Sequence, residues 1–235
     1  GHIQWLDLLN RPLLAVLGAV YDFSRKLPAD TALRLPASVR KELAQVVGLA
    51  IMWSFDLRTP WHHKVLASDA SQDFGFGIAR WITSSATARR LGRYSEKRGD
   101  YKTFMCDRDA PEPKDRIGAP HHLHLKQSRF RTVLSCKAKF LGHAALLECH
   151  AVRMAVDWVT RSVDKHNKRI VLLVDAKAIL GAVAKGRSSS SMLRQQIQRI
   201  AALCLAAGVN LHVLYIPTEH NPSDHPSRGK SIPRT

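Results

Sequence analysis

Long apolar runs are missing from this sequence. No stretch approaches the roughly 18 residues that a membrane-spanning helix needs, so no membrane partner is expected, and with the unpaired cysteines below an intracellular protein, cytoplasmic or nuclear, is the expectation. Acid is scarce as well: 19 Asp and Glu stand against 36 Lys and Arg, a formal charge of +17. Cysteine is limited to Cys106, Cys136, Cys149 and Cys204, and none forms a Cys-x-x-Cys pair. That excludes a zinc knuckle or a dithiol redox motif and leaves reduced, mostly buried thiols. The opening Gly1-His2-Ile3-Gln4-Trp5 has no basic region of the kind that begins a secretory signal. It also has no initiator Met, as expected of a piece of a longer chain.

What remains is a folded, basic chain. Its 235 residues are 45% apolar, too many for a disordered basic tail. They suffice for one core domain of about 150 residues plus an appendage, with no need of disulfides. A folded domain this basic meets a polyanion, and nucleic acid is the first candidate.

Periodicity divides the chain. Residues 4–26 carry Trp5, Leu8, Leu9, Leu13, Leu14, Leu17, Val20 and Tyr21 at helical spacing, with a break expected at Pro12. Residues 27–36 read as a connector. A second helix is expected from 37 to about 55, with Ser38 as its N-cap and Glu42 near its first turn. Residues 1–60 thus form a helical segment. From 61 to 229 the pattern is that of one α/β domain, followed by a tail at 230–235. Residues 64–70 and 74–81 read as a β-hairpin turning at Gln72-Asp73. The Gly spacing of Phe74-Gly75-Phe76-Gly77 fits no phosphate loop.

Residues 83–128 read as a basic insertion with little regular structure, apart from a strand at 101–105. Between Arg80 and Lys139 there are 15 basic and 6 acidic residues, a composition that suits either a solvated insertion or a phosphate-tracking surface. His121-His122-Leu123-His124 has no accompanying ligand cluster and reads as adventitious. A strand at 129–135 is followed by a long helix from 137 to about 162 with an apolar stripe. Ile170 to Val174 is an unbroken apolar run ending in Asp175, the pattern of a central strand buried on both faces. Helices at 176–185 and 190–207 follow, the latter stopped by Gly208 in the left-handed position. The last strand is 209–216. Pro226 prevents a long final helix.

Four acids stand at display positions: Asp69 late in the first strand, Glu148 on the long helix, Asp175 at the end of the apolar strand, and Asp224 after the last strand. Singly, each has an ordinary explanation as a turn residue, a solvated helix acid or a cap. Together they suit one sheet edge. Carboxylates that close repel unless a cation neutralises them, and hard oxygen ligands suit Mg²⁺ or Mn²⁺. Two such ions about 4 Å apart activate a water and stabilise the leaving oxygen in phosphodiester hydrolysis.

These residues also carry a resemblance. Asp69-Ala70-Ser71 with Phe74-Gly75-Phe76-Gly77, Leu147-Glu148-Cys149-His150, Val174-Asp175-Ala176, and Asn221-Pro222-Ser223-Asp224-His225-Pro226-Ser227-Arg228 are similar to the ribonuclease H domain of retroelement reverse transcriptases. The flavour is that of DIRS-like or related long-terminal-repeat retrotransposons, and the likeness covers about residues 37–229. The order Asp, Glu, Asp, Asp differs from integrases and transposases, which place the Glu last. The resemblance implies a ribonuclease H-like mixed five-stranded sheet flanked by helices, with the N-terminal helices corresponding to a thumb or connection segment. It implies a two-metal endonuclease that cuts the RNA strand of RNA–DNA hybrids, leaving a 3′-hydroxyl and a 5′-phosphate. Asp69, Glu148, Asp175 and Asp224 correspond to its metal ligands for two Mg²⁺ ions, with Mn²⁺ as substitute. Glu148 would also meet a 2′-hydroxyl, by which RNA is told from DNA. His220 corresponds to the mobile catalytic His of cellular members. The polymerase domain of the same polyprotein is the implied partner. This chain has no Tyr-x-Asp-Asp and no paired Asp-Asp, so no polymerase activity is expected of it.

Two other readings stand beside this one. A catalytically degenerate module would keep the fold and bind hybrid or RNA. A DNA resolvase or exonuclease on the same superfold fits the Asn221–Arg228 ending less well.

Overall fold

In the computed structural model the described residues are 2–26, 34–96, 125–140 and 142–233. The expected strand at 101–105 and the His121–His124 cluster lie outside them. Five strands, β1 (Trp61–Ala70), β2 (Gly75–Ile82), β3 (Arg131–Lys137), β4 (Arg169–Val174) and β5 (Asn210–Tyr215), form one mixed sheet in the order β3-β2-β1-β4-β5. β1–β2 and β2–β3 pair antiparallel, whereas β1–β4 and β4–β5 pair parallel. This is the expected α/β architecture, a ribonuclease H-like mixed five-stranded sheet flanked by helices, with an N-terminal helical segment.

Both faces of the sheet are covered, which is why Ile170–Val174 can be apolar at every position. On one face Leu66, Ile78, Ile170, Leu172 and Val174 pack with Val152, Val156, Ile197 and Ile200. Those last four come from α5 (Ala144–Thr160) and α7 (Ser191–Ala207). On the other, Val65, Ala67, Ala79, Val171 and Leu173 meet Phe130 and the Ala88 and Leu91 side chains of α4 (Ser85–Gly92).

Helix α4 corrects the reading of residue 83 onward as irregular. Ser84 caps it, its Oγ accepting from the Thr87 amide at 3.0 Å, and Gly92 admits the Trp61 ring where a Cβ would collide. A short, Arg-rich helix with only Ala88, Leu91 and Gly92 inward carries too weak a period to stand out. The long helix also starts later than its stripe suggests. β3 runs on to Lys137, and α5 begins at Ala144, where His143 Nδ1 accepts from the Ala145 amide at 3.2 Å.

The N-terminal segment breaks earlier and more often than Pro12 alone predicts. It comprises α1 (His2–Asp7), a 3₁₀ stretch Leu8–Val16 that turns at Asn10, and α2 (Gly18–Lys26). α3 (Ala37–Leu49) starts at Ala37 with Pro36, not Ser38, in the capping position, and ends in a 3₁₀ turn at Ala50–Met52 rather than running to 55. Glu42 reaches across instead. Its carboxylate accepts from the Ala19 and Val20 amides at 2.8 and 2.9 Å and caps α2 from the neighbouring helix. The segment is fastened to α7 and to α6 (Lys177–Lys185) by Gln198 Nε2 to Ala15 O at 3.2 Å and Arg11 Nη1 to Ala184 O at 3.2 Å.

Candidate active site

Strand register builds the site. β1 and β4 are parallel with Ala67 opposite Leu173, so two residues on Asp69 stands beside Asp175 at the shared carboxyl-terminal edge. That edge, where a parallel neighbour meets an antiparallel one, is where α/β sheets present ligand sites. α5 packs on β1 and brings Glu148 to the same place, where the Ala70 amide donates to its carboxylate. One oxygen from each of Asp69, Glu148 and Asp175 lies within 4.8 Å of the others.

The electrostatics of the three are strained. Asp69 is 4% exposed. Burial pushes its pKa above the ordinary carboxylate value, the Ser227 hydroxyl eases it, and the Asp175 and Asp224 charges push it further up. The closeness of the Asp175 carboxyl raises it further. Glu148 is pushed up to about 9, first by burial and then by the charges of Asp69 and Asp175, against the opposing Ala70 amide. Its Oε2 is buried and has no hydrogen-bond partner among the described residues. Three acids, one orphaned oxygen and hard donors throughout fit a divalent cation.

Asp224 stands beside this cluster rather than in it. It opens α8 (Asp224–Ser227), and its charge reaches Asp69. Its Oδ1 is already taken by Arg228, which donates from Nη2 at 2.8 Å and Nε at 3.0 Å, with His225 Nδ1 3.7 Å from Oδ2. His220 lies on the exposed 3₁₀ turn Thr218–His220 and is not among the three clustered acids. Thus the structure gathers three of the five expected residues, places Asp224 within electrostatic reach, and leaves His220 at the surface.

The closing segment is held by residues whose parts sequence reasoning did not assign. Asn221 is buried. Its Nδ2 donates to Ser68 O at 3.2 Å and its Oδ1 accepts from the Ser223 amide at 3.0 Å, so it ties the final turn to the residue before Asp69. Ser135 Oγ donates to Pro226 O at 2.7 Å. Gly77 on β2 lets α8 approach, since a Cβ there would strike the Ser223 carbonyl and the Ser227 amide. The i,i+4 spacing of Asp224 and Arg228 was the available signal for their ion pair. No protein-family model matches the chain, and no curated protein and no solved structure matches it either.

Proposed function

We propose that the chain is a metal-dependent endonuclease of the ribonuclease H type, hydrolysing the RNA strand of RNA–DNA hybrids as part of a retroelement reverse transcriptase polyprotein. The observation that carries this reading is the meeting of Asp69, Glu148 and Asp175 at the edge of β1 and β4, with a Glu148 oxygen buried and unpartnered. Those three acids would hold Mg²⁺, or Mn²⁺ in its place, and Asp224 would join for a second ion. The bound ions would supply a water activated for attack and charge stabilisation for the leaving oxygen.

The chain's own residues do the rest. Asp69 and Asp175, fixed by strand register, orient the site. Glu148, anchored by the Ala70 amide, would offer its unpartnered oxygen to a metal or a ribose hydroxyl. Asn221 and Ser135 hold the turn bearing Asp224 against the sheet. His220, exposed before that turn, would take the part of the mobile His that the resemblance implies. The excess of Lys and Arg supplies the sequence-independent grip on phosphates. Trp5, Ile51 and Leu57, which are at least 75% exposed on the N-terminal segment and beside it, offer the surface on which the polymerase domain of the polyprotein would rest.

One observation favours the second reading, a hybrid-binding module without catalysis: Asp224 is engaged by Arg228 and stands outside the cluster. A labelled RNA–DNA hybrid incubated with the chain in Mg²⁺ and in Mn²⁺ separates the two. RNA-strand cleavage that Asp175→Asn and a chelator both abolish supports the nuclease. Intact RNA with hybrid still bound supports the binding module.

A further inference from the structure

A cavity of about 80 Å³ lies between α2 and the loop joining α6 to α7. Arg25, Lys185, Arg187 and Arg194 line it, together with Tyr21 and Ser188. Against these four cationic side chains the lining holds one acid, Asp22, which takes Arg194 Nη1 at 2.8 Å. The carboxylates of the candidate active site lie at the other end of α6. That helix has nine residues, so the two features stand roughly 13 Å apart along it.

Two of the four cations, Arg187 and Arg194, are set in place rather than splayed into solvent. The Arg187 guanidinium sits 4.6 Å over the Tyr21 ring, a contact that orients the planar group. The Arg194 stem lies flat on Gly18, where a Cβ would come within 2.8 Å of its Cδ. Its Nε is buried with no acceptor among the described residues, a donor whose burial is costly unless something accepts from it. Ser188 Oγ accepts from the Ser190 amide at 3.1 Å, which leaves the hydroxyl proton to be donated elsewhere. The carbonyls at the end of α6 would repel an anion, but Ala182 O already accepts from the Arg187 amide at 3.1 Å and Ala184 O from Arg11 at 3.2 Å. The cavity therefore offers donors and positive charge, and little that opposes an oxyanion.

We propose that this cavity binds a phosphate group, supplied either by the backbone of a nucleic acid lying across the molecule or by a small phosphate-bearing ligand. Guanidinium forks match phosphate oxygens two at a time. A phosphate there would neutralise mutual repulsion among the lining cations and would tie α2 to the α6–α7 loop.

The test uses the full chain with chelator present, so that no step depends on cleavage and its outcome is separable from that of the nuclease reading. Inorganic phosphate is titrated by calorimetry into wild type, Arg187→Gln, Arg25→Gln and, as control, Arg161→Gln. Arg161 is exposed and pairs with Asp157 on α5, away from the cavity. Wild type and the control are expected to bind phosphate alike, and the two cavity variants about tenfold more weakly. Cavity variants that match the control overturn the proposal. Arg25 is exposed, so its variant keeps the test valid should Arg187→Gln fail to fold. A second arm measures RNA–DNA hybrid binding against salt. A slope reduced by about one in the cavity variants assigns the phosphate to a nucleic-acid backbone. An unchanged slope with phosphate binding lost assigns it to a small ligand.

Discussion

Replacing Glu148 by Gln should stabilise the metal-free chain, and increasingly so as pH rises. In the unfolded chain this carboxyl titrates at its ordinary value of 4.5, whereas in the fold burial and the Asp69 and Asp175 charges hold it up to about 9. Below 4.5 it is protonated in both states and costs nothing. As pH rises from 4.5 towards 9 the unfolded chain releases a proton that the fold keeps, so stability falls across that window. At pH 8, about 3.5 units of unmatched titration, with part screened by solvent at a half-buried group, amount to roughly 3 kcal/mol. For a chain of this size that corresponds to roughly 6–12 °C in Tm. Glutamine mimics the protonated acid: it still accepts from the Ala70 amide and does not titrate. Two histidines, the buried His62 and the half-buried His150, pull the other way at lower pH. Burial first, and then neighbouring cationic groups, press His62 and His150 down to about 4, so stability is also lost as pH falls below 6.5. Both are neutral in folded and unfolded chains between pH 7 and 9, and both are present in the variant. The assay is therefore thermal unfolding of wild type and Glu148→Gln in chelator at pH 7, 8 and 9. The variant should melt higher, by a margin that widens with pH. Mn²⁺ should raise the wild type at pH 8 and largely spare the variant. A constant margin, or a wild-type Tm that climbs from pH 7 to 9, would refute the argument that the carboxylates are held apart from water and against one another.

The other expectations concern how the site is held. Arg228→Ala frees Asp224 Oδ1 from its two hydrogen bonds and should tighten Mn²⁺ binding several-fold in calorimetry, since the guanidinium competes with a cation for that oxygen; weaker binding would mean that Arg228 positions the acid instead. Asn221→Ala strands the Ser68 carbonyl and the Ser223 amide in a buried place, and should cost about 1–3 kcal/mol in denaturant unfolding. Gly77→Ala forces α8 off the sheet at a cost of about 1–3 kcal/mol and should weaken Mn²⁺ binding more than its stability loss explains. Leu172→Ala, deep in the sheet, should cost about 2–5 kcal/mol without altering metal affinity in the fraction that folds.

Much of the fold was legible because the sheet is covered on both faces. Ile170–Val174 announces a central strand by having no polar alternation, and the 64–81 hairpin announces itself by its turn. Gly208 stops α7 in the left-handed conformation as its position predicts, with φ 61°. What was hidden depended on partners distant in the chain. α3 begins at Ala37 as expected, but Pro36 rather than Ser38 holds the capping position, and Glu42, which looks like its own helix's first-turn acid, is spent on capping α2. Helix α4 was missed because only three of its eight residues face inward. At the site, the carboxyl-edge placement of Asp69 and Asp175 follows from strand ends alone, but the engagement of Asp224 by Arg228 depends on rotamers that spacing only permits.

The same register that makes the site readable makes it costly. With Ala67 opposite Leu173, nothing short of a strand slip can separate Asp69 from Asp175, and a one-residue slip would turn out of the core either Val65 and Ala67, if β1 moves, or Val171 and Leu173, if β4 does. The repulsion between the acids is therefore locked in by several buried apolar side chains that have no part in chemistry. Glu148 adds to it from α5, where Val152 and Val156 fix the helix against the sheet. A fold that clusters acids by means of its best-packed elements cannot relax by local rearrangement. It can respond only by keeping protons or by taking up positive charge. Arg228 supplies such a charge to Asp224, and Glu148, with an oxygen that accepts from nothing among the described residues, is the acid left to claim another.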